Sequence, residues 1–141
     1  KNYQNTLPLK SGQQVAVIGP LAQNPENMPG TWSVAAKHAN SVYLLQGLKE
    51  TLGNQFTFTF ARGSNFEEDI DLENRYAAFG KNSYRDSRTE AELVNEAVET
   101  AAKADIVLLA VGEMAEMSGE SSSSTRIDIP AVQRRLIKAI F

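Results

Sequence analysis

The chain has 141 residues, of which 42% are hydrophobic and 22% charged, the composition of an ordinary globular domain. That length favours one domain rather than two. A net charge of −3 without any basic block argues against a nucleic-acid partner, because phosphate binding requires clustered lysine and arginine. No apolar run approaches the ~20 residues that cross a bilayer, so we expect no membrane partner.

The residue types present limit the chemistry that this chain can perform. It has no cysteine, which excludes disulfides and thiolate metal sites. Its one histidine, His38, cannot by itself build a histidine metal site. We therefore expect no metal and no cofactor.

The first half of the chain opens with a buried strand. Residues 15–18 form an all-apolar run closed by Gly19, which is typical of a strand buried on both faces. The polar stretch 21–40 predicts a long loop. Residues 41–52 then carry a helical apolar stripe, and Gly53 follows as a stop signal.

The second half repeats this alternation twice. Residues 56–60 alternate phenylalanine with threonine, as in a strand with one aromatic face, and residues 64–86 predict a loop with a helical turn near 70–79. A capping box at 89–92 predicts the next helix. The run 106–111 is the strongest buried-strand signal, and Pro130 suits the first position of a last helix.

Alternation of strands and helices predicts a three-layer α/β/α sandwich with a mostly parallel sheet. Ligands of such sheets gather at the carboxyl ends of the strands, here after Ile18, Phe60 and Val111. The chain starts at Lys1 and stops at Phe141 within a periodic segment, so we expect a piece of a longer protein whose sheet is incomplete at its C-terminal end. An unpaired strand edge there would favour a homodimer.

The loop after the third strand carries the residues best suited to catalysis. Glu113, Glu116 and Glu120 lie within eight positions, separated by methionines. Desolvation beside apolar side chains raises the pKa of a carboxyl group, which suits a general acid near neutral pH. The alternative interpretation is a solvated acidic loop, and we take Glu116 to be solvated.

An ordered set of short motifs resembles glycoside hydrolase family 3, in particular the second, C-terminal domain of its periplasmic β-glucosidase branch. The set covers nearly the whole chain, and its members are Leu7-Pro8-Leu9-Lys10, Val15-Ala16-Val17-Ile18-Gly19-Pro20, Gly30-Thr31-Trp32-Ser33, Ala61-Arg62-Gly63, Gly112-Glu113, Ser118-Gly119-Glu120 and Ile127-Asp128-Ile129-Pro130.

What this resemblance implies is a retaining glycosidase in which a separate N-terminal (β/α)₈ barrel, absent from residues 1–141, carries an aspartate nucleophile. The family's acid/base glutamate maps onto Glu120. Retaining chemistry needs two carboxyl groups about 5–5.5 Å apart, so the chain would be inactive alone. With the barrel it would hydrolyse terminal β-D-glycosides, and the parent protein would be periplasmic or secreted.

The sequence departs from the family in the same loop, because Ser124 and Arg126 stand where an arginine and an acidic residue are common. Because of this departure, a non-catalytic carbohydrate-binding or scaffolding domain is an alternative interpretation of the chain. A nucleotide-binding domain is the other alternative, but Gly19-Pro20 lacks the required glycine spacing and Pro20 removes a backbone donor.

Two further residues are candidates for contact with the sugar substrate. Trp32 is the only tryptophan, and an aromatic ring on a loop at the correct sheet edge can stack on a sugar. It could equally pack beneath its own loop. Glu113 could contact sugar, or it could cap a helix or face solvent.

Overall fold

The computed structural model describes residues 2–33, 35–76, 85–120 and 122–141. Its strands and α-helices are, in chain order, β1 (Gln14–Ile18), α1 (Leu44–Leu52), β2 (Thr57–Ala61), α2 (Ile70–Tyr76), α3 (Glu90–Ala102), β3 (Ile106–Leu109) and α4 (Ala131–Ile140). Single 3₁₀ turns occupy Tyr3–Asn5, His38–Asn40 and Ala115–Ser118. The predicted alternation is confirmed. The turn expected near 70–79 is the helix α2, and residues 77–79 lie outside the described ranges.

The strands form a parallel sheet in the order β2-β1-β3. Because β1 has a neighbour on each side, Val15 to Ile18 are fully buried, as predicted. The expectation of a fully buried third strand is wrong. β3 ends at Leu109 and is half-buried, because it lies at one edge of the described sheet.

Helices cover both faces of the sheet, which confirms the predicted α/β/α layering. On one face, Ala16 and Ile18 pack with Ala97 of α3 and Leu136 of α4. On the other face, Val15 and Val17 pack with Leu45 of α1 and with the partly buried phenylalanines of residues 56–60. The alternation of side chains along β1 therefore supplies both cores.

Helix boundaries follow the predicted signals, with two differences. The capping box is present: Glu92 N–H donates to Thr89 Oγ1 at 3.3 Å, and Thr89 N–H donates to Glu92 Oε2 at 2.8 Å. Gly53 ends α1 as predicted, but in a right-handed conformation, whereas a glycine at a helix end commonly adopts the left-handed one; a Cβ there would lie 2.4 Å from Lys49 O. Pro130 is the N-cap of α4, one position earlier than predicted.

Candidate functional site

The loops that follow the three strands lie at the same edge of the sheet, because the strands are parallel. Gln133 of α4 joins two of these loops at their base. Its side chain accepts a hydrogen bond from Gly112 N–H at 2.8 Å and donates to Gly112 O at 2.8 Å and Phe66 O at 3.1 Å. We call residues 112–130, which carry Glu113, Glu116 and Glu120, the acidic loop. Because Gln133 is fully buried, these bonds are shielded from water and fix the position of the start of this loop.

Glu120 lies on the loop after β3, directly beyond the 3₁₀ turn Ala115–Ser118 and Gly119. It is exposed to solvent. A carboxylate in this position is accessible to a ligand or to a second domain that approaches the carboxyl edge of the sheet.

Glu116 does not behave as the sequence led us to expect. It is only 8% exposed, not solvated. The 3₁₀ turn directs it inward, so that its Oε2 lies 3.7 Å from the point where a Cβ on Gly119 would stand. Its backbone oxygen accepts a hydrogen bond from Ser122 Oγ. Glu116 therefore belongs to the internal structure of the loop.

The two candidate sugar contacts are both exposed. The side chain of Trp32 is 69% exposed, so the ring does not pack beneath its own loop. Glu113 lines an open groove of about 500 Å³, together with Met117, Ser124, Arg126, Ile127, Asp128 and Ile129. Neither Trp32 nor Glu120 lines this groove. The structure thus places the three predicted site residues on loops at one edge of the sheet, and of the three only Glu113 lines this groove.

The two residues that depart from the family pattern are engaged within the loop itself. Arg126 pairs with Asp128 at 2.7 Å, and Arg134 of α4 reaches the same carboxylate oxygen at 3.0 Å. The hydrogen bond from Arg126, followed by the charge of Arg134, lowers the pKa of Asp128. Ser124 Oγ donates to Arg126 O at 2.8 Å. These contacts fold residues 124–128 onto the N-terminal end of α4.

A buried charged group lies behind the loop after β2, and the sequence did not reveal it. Glu73 is 1% exposed and pairs with Arg85. Nearby, burial raises the pKa of Tyr76, and the negative charges of Glu67 and Glu113 raise it further. The charge of Glu113 thus acts on Tyr76, the last residue of α2.

Sequence reasoning also missed the contact between the loops after β1 and β3. Asn27 and Thr31 both hydrogen-bond the backbone of Ala115. Only the local part had a signal in the sequence: at the spacing Asn24-x-x-Asn27, one asparagine side chain can bond to the backbone of the other, but this spacing does not point to Ala115. Gln133 had a signal too, since it interrupts the apolar stripe of α4.

Within the described ranges, no three His, Asp or Glu side chains are grouped so that they could hold a metal ion. No described helix is long and apolar enough to cross a membrane.

Comparison with known proteins defines the class to which this α/β/α fold and its acidic edge loop belong. The family described as "Glycosyl hydrolase family 3 C-terminal domain" matches residues 1–141. The chain belongs to this family.

The chain is similar to curated and solved relatives over 99% of its length. It is 38% identical to a periplasmic beta-glucosidase of Salmonella typhimurium and 30% identical to a beta-xylosidase of Formosa agariphila. Among solved structures, a beta-glucosidase of Listeria innocua in complex with isofagomine matches at a TM-score of 0.73 and 25% identity. A Bifidobacterium adolescentis beta-glucosidase matches at 0.69 and 27%. The chain spans only 16–18% of the length of these four proteins.

Proposed function

We propose that this domain supplies Glu120 as the acid/base of a retaining β-glycosidase that hydrolyses terminal β-D-glycosides. The observation that carries the proposal is the position of Glu120, an exposed carboxylate on the loop beyond β3, at the edge where parallel sheets bind ligands. The resemblance to beta-glucosidases over 99% of the chain supports it.

The proposed reaction divides between two domains of a longer chain. An aspartate on an N-terminal (β/α)₈ barrel attacks the anomeric carbon, while Glu120 protonates the oxygen of the leaving alcohol. Glu120 then removes a proton from the water that cleaves the glycosyl-enzyme, and the free sugar leaves with its original anomeric configuration. The chain covers 18% of the Salmonella relative, so most of an enzyme of that length lies outside this domain.

Two exposed residues on the loops after β1 and β3, Trp32 and Glu113, have proposed roles in binding the substrate. The exposed ring of Trp32 offers an apolar face for a sugar ring. Glu113, which lines the open groove, has carboxylate oxygens that can accept hydrogen bonds from sugar hydroxyls. Following the Salmonella relative, we assign the longer protein to the periplasm or the secreted fraction.

Chemical rescue tests the role of Glu120. In the Glu120→Ala variant of the longer chain, a dinitrophenyl β-glucoside still glycosylates the enzyme, because its leaving group needs no proton. Water then hydrolyses the glycosyl-enzyme slowly, because no base is present to remove its proton. Added azide needs no deprotonation and should raise kcat about 10-fold or more, with β-glucosyl azide as the product detected by NMR.

Two outcomes of this experiment, and one outcome of a separate assay of residues 1–141, would contradict the proposal. A Glu120→Ala variant with unchanged kinetics would favour a non-catalytic carbohydrate-binding or scaffolding domain. An α-configured azide would exclude the retaining assignment. Residues 1–141 assayed alone should release no sugar, and robust turnover by them would overturn the division of the active site between two domains.

The edge of β3 supports a proposal about self-association. Within the described residues, β3 pairs only with β1, which leaves its outer backbone groups without a strand partner. We expect residues 1–141, studied without further domains, to form a homodimer through this edge. Light scattering should then give a mass that rises with protein concentration, whereas a constant monomer mass at high concentration would contradict the prediction.

A further inference from the structure

The turn that precedes Glu120 is held from outside by the loop after β1. Asn27 Oδ1 accepts a hydrogen bond from Ala115 N–H at 2.7 Å, and Thr31 Oγ1 donates to Ala115 O. The backbone N–H and C=O of one residue, which belong to two successive peptide units, are thus both bound by side chains of a different loop. This arrangement fixes the position of Ala115 and the orientation of its backbone.

Hydrogen bonds to Asn24 orient the side chain of Asn27. Asn24 is 2% exposed, and its Oδ1 accepts hydrogen bonds from Asn27 N–H at 2.9 Å and from Asn27 Nδ2 at 2.8 Å. Because the amide nitrogen of Asn27 must face Asn24, its amide oxygen must face Ala115. The buried asparagine therefore selects the side-chain conformation that binds the turn.

A second contact lies immediately before the proposed acid/base. A Cβ placed on Gly119 would lie 3.1 Å from Thr31 Cγ2, so the methyl group of Thr31 packs directly against the backbone of Gly119. Thr31 thus touches the turn at Ala115 and again at the residue that precedes Glu120. The next residue along its own loop is Trp32, the proposed sugar platform.

We infer that Asn27 and Thr31 are positioning residues for the acid/base, an inference that rests on the proposed function of Glu120. They act through the backbone of residues 115–119 and need not touch the substrate. By holding the loops after β1 and β3 together, they fix the distance between the sugar platform and the proton donor. A displacement of about 1 Å in such a group can reduce the rate by about 100-fold.

The test uses Asn27→Ala and the pair Thr31→Val and Thr31→Ser in the longer chain with its barrel. Thr31→Val removes the hydrogen bond to Ala115 with little change of shape, and Thr31→Ser keeps it. We expect Asn27→Ala and Thr31→Val to lower kcat/KM for methyl β-glucoside about 10-fold more than for dinitrophenyl β-glucoside, and Thr31→Ser to resemble the wild type more closely.

Comparison of the two substrates separates positioning from folding. Loss of folded enzyme lowers kcat/KM for both glucosides equally, whereas a misplaced acid affects only the substrate whose leaving group needs a proton. Gln23→Ala is the matched control, because Gln23 is exposed on the same loop. It should leave both values unchanged.

Each outcome has a separate meaning. If Glu120→Ala discriminates between the two glucosides but Asn27→Ala and Thr31→Val do not, the positioning inference is wrong and the proposed function stands. If Glu120→Ala itself does not discriminate, the proposed function fails and the inference fails with it. Thr31→Val removes the hydroxyl but keeps the methyl group against Gly119, so a Thr31→Val variant that matches the wild type would reject the hydrogen bond to Ala115 as the cause.

Discussion

In the longer chain, Glu120→Ala should lower kcat/KM for methyl β-glucoside by about 10²–10⁴-fold, the usual contribution of a general acid. For dinitrophenyl β-glucoside the same variant should lose much less, because dinitrophenolate leaves without protonation. kcat/KM is the correct quantity, since it reports only the steps up to formation of the glycosyl-enzyme.

A carboxylate elsewhere on the surface provides the control for this experiment. Glu99 is exposed on α3, away from the carboxyl edge of the sheet, and Glu99→Ala should leave kcat/KM for both glucosides unchanged. A uniform loss across both substrates in Glu120→Ala would point to a structural defect and count against the acid/base role.

Gly19→Ala should lower the free energy of unfolding by about 3 kcal/mol or more. Gly19 has φ +132, a conformation that side chains rarely adopt, and a Cβ there would lie 2.2 Å from Ala110 O. The obstacle is backbone, and it lies at the end of β3, where Ala110 N–H donates to Ile18 O at 2.7 Å. Relief of the clash must therefore separate β1 from the start of the acidic loop.

Gly12→Ala distinguishes this clash from backbone strain alone. Gly12 also has a positive φ, +90, but nothing lies within 4 Å of the added Cβ. It should cost only about 1–2 kcal/mol. Urea unfolding should be followed by far-UV circular dichroism, because the single tryptophan is 69% exposed and reports folding poorly. Equal losses in the two variants would contradict the assigned clash.

Local signals in the sequence were sufficient for most of the fold. The apolar run at β1, the alternating phenylalanines of β2 and the Thr89–Glu92 capping box each depend on neighbouring residues, so a short window contains their physical cause. The half-burial of β3 depends on its place at the edge of the sheet, which no short window contains.

The candidate site was accessible to sequence reasoning only in part. The loop that carries Glu120 could be located because a strand signal precedes it. The bond between Asn27 and Ala115 could not, because 88 residues separate them and only the order of the strands brings them together. The inward direction of Glu116 likewise depends on a 3₁₀ turn that has no distinct sequence signal.

The central position of β1 also has a consequence for synthesis on the ribosome. Gln14, the first residue of β1, and Asp105, the residue directly before β3, are 91 positions apart along the chain. At roughly 5–20 residues per second, translation leaves the apolar segment Val15 to Ile18 without its second neighbour for roughly 5–20 s. Until the segment that ends in Leu109 has emerged, this apolar segment lacks a strand on one side, which makes the unfinished domain prone to aggregation.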